Sequence, residues 1–219
     1  MAKSLCATLL LISFTTSCGP AQSGQKRFDN YYDARDVFWS ELYKDGGETL
    51  YCGVRFGSKK NKSINIEHVT PMAWAMNEVG CDDRNECRKI SKRFNQMEAD
   101  LHNLYPALEK INKERGSHSF GMVKGEAREF GKCDFEINYQ KRLVEPRDAS
   151  RGEIARAMFY MNETYGLKIF KRLGITLKKW HRSDPPNDFE RSRNDMIEKL
   201  QGTRNRFIDD SNAAKDLWF

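Results

Sequence analysis

Apolar side chains recur at intervals of three or four residues in four stretches of the chain, which is the spacing of one face of an α-helix. This spacing predicts helices over 28–44, 148–165 and 188–201. It also predicts a helical stretch over 88–116, interrupted near Pro106 because proline cannot donate a backbone hydrogen bond in a helix interior.

Two shorter segments have the character of β-strands. Residues 49–56 are rich in β-forming side chains and lead into the polar turn 57–62, and residues 63–69 alternate polar and apolar positions. Both segments are therefore predicted to be strands. No internal repeat or interdomain linker interrupts the pattern, so residues 28–219 are interpreted as one α+β domain.

The N-terminus has the pattern of an export signal. Lys3 is followed by a short apolar run and then by small residues up to Cys18, which is the arrangement of a secretory signal peptide over 1–18. Residues 19–27 are small and polar and are interpreted as a flexible leader. The chain is therefore predicted to be periplasmic or secreted, and Thr16-Ser17-Cys18-Gly19 leaves open a lipid anchor through Cys18.

Four cysteines lie beyond this signal: Cys52, Cys81, Cys87 and Cys133. An even number in an exported chain favours disulfides, and three pairings are possible. The short separation of Cys81 and Cys87 favours a local loop, which would leave Cys52 with Cys133. A four-cysteine zinc site is the alternative, although the chain has no Cys-x-x-Cys pair.

Composition narrows the class of function only slightly. Hydrophobic residues make up 39% and aromatic residues 11% of the chain, which excludes a sequence too polar to fold. The formal net charge is +6, an excess that allows a polyanionic partner without requiring one.

Two segments combine ionisable or amide side chains with a structural break: 65–71, which contains Glu67 and His68, and 97–106, which contains Asn103. A carboxylate and an amide oxygen are ligands that magnesium accepts, and an imidazole can take a proton at neutral pH. A phosphodiester needs both functions, because it is anionic and its leaving alkoxide is poor. These residues indicate a one-metal phosphodiesterase.

The neighbours Glu67 and His68 would point to opposite faces of a regular strand. Pro71 restricts Thr70 and cannot donate to a strand ladder. We therefore expect the strand to end or distort before Pro71.

Five motifs follow one another along the chain: Tyr51-Cys-Gly53, Glu67-His-Val-Thr-Pro71, Met97-Glu-Ala-Asp-Leu-His-Asn-Leu-Tyr-Pro106, Arg151-Gly-Glu-Ile-Ala-Arg-Ala-Met-Phe-Tyr160 and Gln201-Gly-Thr-Arg-Asn-Arg-Phe-Ile-Asp209. In this order they resemble the bacterial endonuclease I family of periplasmic and secreted nucleases. The resemblance covers about 28–211. Val54 stands where family members often have a second cysteine, so the family's disulfide pairing is not carried over.

The resemblance implies a ββα-metal (His-Me finger) nuclease core with several surrounding helices. It implies that Glu67 and Asn103 bind one divalent ion, Mg²⁺, and that His68 is the general base. Family members cleave without sequence preference and leave 5′-phosphate ends, and many act on both DNA and RNA. We therefore expect a monomeric, sequence-non-specific endonuclease; an exported nucleic-acid-binding protein without catalytic activity is the alternative.

An arginine is expected to hold the scissile phosphate and its developing charge. The resemblance points first to Arg84 and second to Arg88. Other arginines in the matching motifs are interpreted as braces that pair with carboxylates such as Glu145 or Asp209; these are Arg151, Arg156 and Arg204.

Basic residues near the motifs are candidates for binding phosphates rather than bases. A stripe on one helix is predicted from Arg88, Lys89, Lys92 and Arg93, at spacings of three and four. A basic turn is predicted from Lys59, Lys60 and Lys62.

Overall fold

The structure is a computed structural model that describes residues 23–58, 61–125 and 129–219. The predicted signal peptide over 1–18 and the basic residues Lys59 and Lys60 lie outside the described residues. Gln25 belongs to the stretch predicted to be a flexible leader, yet it is fully buried and its backbone N–H donates to the Tyr165 hydroxyl over 3.1 Å. This part of the predicted leader is packed against the rest of the chain.

The described residues form an α+β fold, as the sequence predicts. The helices are α1 (Tyr31–Val37), α2 (Met72–Val79), α3 (Arg84–Ile90), α4 (Lys92–Glu98), α5 (Glu109–Arg115), α6 (Arg151–Tyr165), α7 (Lys171–Ser183), α8 (Asp188–Gln201) and α9 (Arg206–Asp209). The strands are β1 (Gly47–Glu48), β2 (Arg55–Phe56), β3 (Ile64–His68), β4 (Leu104–Leu108), β5 (Ser119–Phe120), β6 (Phe135–Asn138) and β7 (Leu143–Pro146). They pair as β1 with β2, β3 with β4, and β5, β7 and β6 in that order.

Three predicted helices are confirmed. The helix over 188–201 is α8, and the helix over 148–165 is α6 with a preceding 3₁₀ turn (Asp148–Ser150). The helix over 28–44 is α1, continued by a π-helical turn (Phe38–Leu42). Helix α7 was not predicted.

Strand β3 confirms the strand predicted over 63–69, and it pairs with β4 in antiparallel register. Glu67 lies opposite Tyr105, and His68 lies opposite Leu104. Helix α5 follows β4 without an intervening loop. The unit β3–β4–α5 therefore places one face of α5 beside the end of β3.

The prediction of helix over 104–108 is wrong. Leu104, Tyr105, Pro106 and Ala107 are all buried, so β4 has a continuous apolar run instead of the alternation that identifies a half-exposed strand. Pro106 is tolerated because, among the described residues, β4 pairs only with β3 and is therefore an edge strand, while the Pro106 carbonyl accepts a hydrogen bond from the Leu50 N–H over 2.8 Å.

The strand predicted over 49–56 is also largely wrong. Only Arg55 and Phe56 form a strand, and they pair with β1 rather than with β3. The Leu50 N–H donates to the carbonyl of Pro106 in β4. Gly53 has a φ of +66°, a value that glycine adopts without strain. The segment is therefore a turn that packs against β4.

Both disulfides have the pairing favoured by the short separation of Cys81 and Cys87. Cys52 is bonded to Cys133 and Cys81 to Cys87, with Cα atoms 4.7 and 5.5 Å apart. All four thiols are consumed, which rules out the four-cysteine zinc site. Among the described residues, no helix has the length and apolar character needed to cross a membrane.

Candidate active site

A cavity of about 570 Å³ opens where the end of β3 meets α2, α3 and α5. Its lining includes Glu67, His68, Arg84, Asn112 and Arg115. The cavity therefore gathers a carboxylate, an imidazole, an amide and two guanidinium groups.

The end of β3 brings Glu67 and His68 to this one cavity. His68 is the last residue of β3 and Pro71 is the N-cap of α2, so the chain leaves the sheet over only two residues. Both side chains are almost buried, with 3% and 6% of their surface exposed. The expected end of the strand before Pro71 is confirmed.

Tyr51 and Arg115 hold the Glu67 carboxylate. The Tyr51 hydroxyl donates to Oε1 over 2.6 Å, and Nη1 of Arg115 lies 2.9 Å from the same oxygen. Arg115 also donates to the carbonyls of His68 and Val69, so it fixes the backbone and the carboxylate together. Burial raises the pKa of Glu67 above its usual value, and the charge of Arg115 opposes that rise.

The His68 ring is held as a neutral imidazole of one tautomer. Its Nε2 lies 2.9 Å from the Glu98 carbonyl, which can only accept, so Nε2–H is the donor and Nδ1 carries the lone pair. Burial, followed by the charge of Arg84, lowers the pKa of His68 to about 3. The Tyr31 ring packs 5.3 Å away, and both rings line the cavity. At neutral pH His68 is therefore unprotonated, and one ring nitrogen carries a lone pair.

Asn103 does not line the cavity. It lies fully buried in a 3₁₀ turn (Leu101–Asn103), where Oδ1 accepts from the Thr70 N–H over 2.7 Å and Nδ2 donates to the Thr70 carbonyl over 3.0 Å. Because its amide closes the turn after β3, the geometry does not support the predicted role of Asn103 as a metal ligand.

Asn112 lines the same cavity as Glu67, and so does Asn65. Nδ2 of Asn112 donates to Asn65 Oδ1 over 2.8 Å and to the Ile66 carbonyl over 3.1 Å, which fixes the plane of the amide. Within the part of the chain that the structure describes, Asn112 Oδ1 accepts no hydrogen bond. The sequence pattern does not single out Asn112, because its position beside β3 follows only once 104–108 is recognised as a strand.

The two candidate arginines occupy different places. Arg84 lines the cavity, keeps 45% of its side chain exposed and lies 3.7 Å from a carboxylate oxygen of Glu98. Arg88 forms a bidentate pair with the same Glu98, at 2.7 and 2.8 Å, and does not line the cavity. Arg84 is therefore the one placed to meet a phosphate, whereas Arg88 neutralises the residue whose carbonyl holds His68.

The predicted basic stripe is divided between two helices. Ser91 ends α3 in an extended conformation, with φ −131° and ψ 105°, and its side chain caps α4. The stripe consists of Arg88 and Lys89 in α3 and Lys92 and Arg93 in α4. Arg93 donates to the Tyr165 carbonyl, and none of the four residues lines the cavity.

Comparison with known proteins identifies the family. A family model described as Endonuclease I matches residues 21–212. The chain belongs to the endonuclease I family. A periplasmic deoxyribonuclease of Aeromonas hydrophila is 34% identical over 77% of this chain and 81% of its own length. Endonuclease-1 of Buchnera aphidicola is 31% identical over 82% and 73%, and an extracellular ribonuclease of Bacillus subtilis is 33% identical over 54% and 46%.

The arginines in the endonuclease I motifs are braces, as predicted. They form short ion pairs with acidic residues: Arg151 with Glu145 (2.6 Å), Arg156 with Glu190 (2.5 Å) and Arg204 with Asp209 (2.6 Å). The pair of Arg156 and Glu190 is 1% exposed on both sides, so loss of one partner would leave a buried charge.

Proposed function

We propose that this protein is a metal-dependent endonuclease that hydrolyses phosphodiester bonds of DNA and RNA without sequence preference. The observation that carries the proposal is the meeting of Glu67, His68, Asn112 and Arg84 on one cavity in a chain of the endonuclease I family. In this proposal β3, β4 and α5 form the ββα-metal core.

One divalent cation, Mg²⁺, would be held by Glu67 and Asn112. The donor set suits it, because magnesium takes oxygen ligands and keeps several waters, so one carboxylate and one amide oxygen suffice. Asn112 Oδ1 accepts no hydrogen bond from the described residues, and the contacts of Tyr51 and Arg115 both fall on Glu67 Oε1. When bound, the ion would polarise the phosphate and stabilise the leaving oxygen.

Two side chains of the cavity would carry out proton transfer and phosphate binding. His68 Nδ1 would take a proton from the attacking water as the water oxygen bonds to phosphorus, while Nε2–H stays on the Glu98 carbonyl. The bond from phosphorus to the 3′ oxygen would then break, which leaves the phosphate on the 5′ end. Arg84 would hold a non-bridging phosphate oxygen as negative charge grows on it.

Glu98 and Arg115 are positioning residues in this scheme. Glu98 is fully buried and orients His68 through its backbone carbonyl, and Arg88 neutralises its carboxylate. Arg115 holds Glu67 and the carbonyl of His68 from inside the fold.

Several observations support the breadth of substrate and the location. Relatives include proteins named deoxyribonuclease and ribonuclease, and their names place them in the periplasm or outside the cell. Lys113 and Arg84 line the cavity and would contact the phosphate backbone, which carries no sequence information. We propose an exported monomer with no obligate protein partner.

The alternative is an exported protein that binds nucleic acid without cutting it. Cleavage of supercoiled plasmid by the oxidised mature protein, with magnesium or with EDTA, separates the two. Glu67→Gln and His68→Ala are the test variants, and Lys141→Gln, which lies outside the cavity, is the matched control. Glutamine is chosen at Glu67 because it retains a partner for Arg115, whose charge would otherwise be buried alone.

We expect magnesium-dependent cleavage by the wild type and the control, and at least about a 100-fold loss in both test variants. Plasmid binding without cleavage by the wild type would support the binding-protein alternative. Undiminished cleavage by His68→Ala would refute the assignment of the base.

A further inference from the structure

Helix α7 carries a strip of positive charge on its exposed side. The buried side of α7 consists of Leu173, Gly174, Leu177, Trp180 and His181. The opposite side carries Lys171, Arg172, Lys178, Lys179 and Arg182. At about 100° per residue, these five cations fall within an arc of about 120°. We call these five residues the α7 strip.

Acidic side chains do not neutralise the α7 strip. The sequence contains no Asp or Glu from 164 to 183, and within the described ranges no residue of the strip is in an ion pair. Lys178 Nζ donates only to a backbone carbonyl, that of Lys215, over 2.9 Å. Arg182 lies three and four residues from Lys179 and Lys178, a like-charge spacing that destabilises a helix. A bound anion would relieve this like-charge repulsion.

The strip begins beside α2, the helix that forms one wall of the cavity. Phe170, the N-cap of α7, is 68% exposed and its ring lies 6.4 Å from the ring of Trp74 in α2. The residues just before Trp74, Met72 and Ala73, line the cavity. From this contact the 13 residues of α7 extend for about 20 Å, at about 1.5 Å per residue.

We propose that the α7 strip is an extended phosphate-binding surface that holds the nucleic-acid backbone beyond the bond being cut. The inference rests on the proposed nuclease function and adds a second contact region to it. A length of about 20 Å matches roughly six nucleotides of one strand at 3.4 Å each. Lysine and arginine side chains suit phosphates, and phosphate contacts carry no sequence information.

An anionic membrane is a weaker candidate for the same surface. A helix that binds in the plane of a membrane inserts its apolar side, and α7 has already buried that side in the protein core. Apart from Ile175, which is 63% exposed, the strip offers a membrane only charged side chains, whereas a nucleic acid bound at the proposed site could continue past α2 to reach them. The strip is therefore expected to favour long substrates over short ones and to be sensitive to salt.

The test is a triple variant of exposed strip residues, Lys171→Gln, Arg172→Gln and Lys179→Gln. The matched control removes the same charge from exposed positions on other elements, by Lys44→Gln, Lys141→Gln and Lys199→Gln. Binding of a labelled duplex of about 30 base pairs is measured by fluorescence anisotropy in EDTA, over roughly 50 to 200 mM salt. Hydrolysis of bis(4-nitrophenyl) phosphate, which is small enough to occupy only the cavity, is measured with magnesium.

We expect the strip variant to bind the duplex at least about tenfold more weakly near 0.1 M salt, with a salt slope shallower by about 2 to 3. Its hydrolysis of the small diester should equal that of the wild type, and the control should change duplex binding by less than about twofold. Unchanged duplex binding, or an equal loss in strip and control variants, would overturn the inference.

Binding to vesicles of phosphatidylcholine with about 30% phosphatidylglycerol is measured in parallel. Loss of vesicle binding without loss of duplex binding in the strip variant would assign the strip to a membrane and overturn the inference. A wild type that binds the duplex but hydrolyses neither plasmid nor small diester would refute the nuclease proposal alone, because the anisotropy result needs no catalysis.

Discussion

Asn103 lies just before β4 and Asn112 lies in α5, the helix that follows it. Their side chains have different hydrogen-bond partners. Asn103 precedes the strand and exchanges two hydrogen bonds with the backbone of Thr70, deep in the protein. Asn112 lies in the helix that follows, and its Oδ1 accepts no hydrogen bond from the described residues. The hydrogen bonds that an amide already makes, more than its nearness to a sequence motif, decide whether it can serve as a metal ligand.

The largest expected effect is on activity when Asn112 is changed. Asn112→Ala should reduce plasmid cleavage about 100-fold to 1000-fold, because it removes one of the two protein oxygens proposed for the metal. Asn112→Asp restores an oxygen at that position and should recover part of the activity. Equal activity in Asn112→Ala and the wild type, at low magnesium, would contradict the assignment.

Asn103→Ala should act mainly on stability. It leaves the Thr70 N–H and carbonyl buried without their partners, so the free energy of unfolding should fall by about 2 to 4 kcal/mol. Denaturant unfolding of the oxidised protein measures this value. Loss of cleavage in Asn103→Ala, with an unfolding free energy equal to that of the wild type, would contradict the structural role of Asn103.

Arg84 and Arg88 differ in the same way as the two asparagines: one lines the cavity and the other is held in an ion pair. Arg84→Ala should lower kcat/KM about 100-fold with little change in stability, because its side chain faces the cavity and is 45% exposed. Arg88→Ala should destabilise the fold instead, since it leaves the fully buried Glu98 carboxylate without its bidentate partner. Measurement of kcat/KM and of the free energy of unfolding for both variants separates these two roles. A loss of stability in Arg84→Ala with a loss of kcat/KM alone in Arg88→Ala would contradict the assignment.

The sequence predicts those helices and strands in which the spacing of apolar residues matches the one face that is buried. Strand β3 alternates, α6 and α8 have regular apolar spacing, and Glu67 and His68 stand out beside Pro71. Strand β4 is missed because it is buried on both sides, and Asn112 is missed with it. The ion pair of Arg115 with Glu67 joins residues far apart in sequence, so only the folded chain reveals it.

The smallest expected effect concerns a histidine outside the cavity. Burial, followed by the charge of Arg193, lowers the pKa of His102 to about 3, and its Nε2 lies 3.1 Å from the Thr203 carbonyl. Because the folded pKa lies below the unfolded value of about 6.5, the unfolded state binds the extra proton as the pH falls from 6.5 towards 3. His102 should therefore lower the free energy of unfolding by up to about 1.4 kcal/mol per pH unit in that window.

The check is the slope of unfolding free energy against pH between about 6.5 and 4.5, in the wild type and His102→Gln. The slope should be shallower in the variant. The raised pKa of Asp100, caused by burial, acts in the opposite direction, but it is common to both proteins. Identical slopes would show that the folded state binds a proton at His102 as readily as the unfolded state.

In the proposed site Glu67 and Asn112, and not Asn103, hold the metal. Binding of Mn²⁺, which accepts the same oxygen ligands as Mg²⁺, can be followed directly by electron paramagnetic resonance. We expect one bound ion with similar affinity in the wild type and Asn103→Ala, and at least about tenfold weaker binding in Asn112→Ala and Glu67→Gln. Weakened binding in Asn103→Ala together with unchanged binding in Asn112→Ala would contradict this assignment.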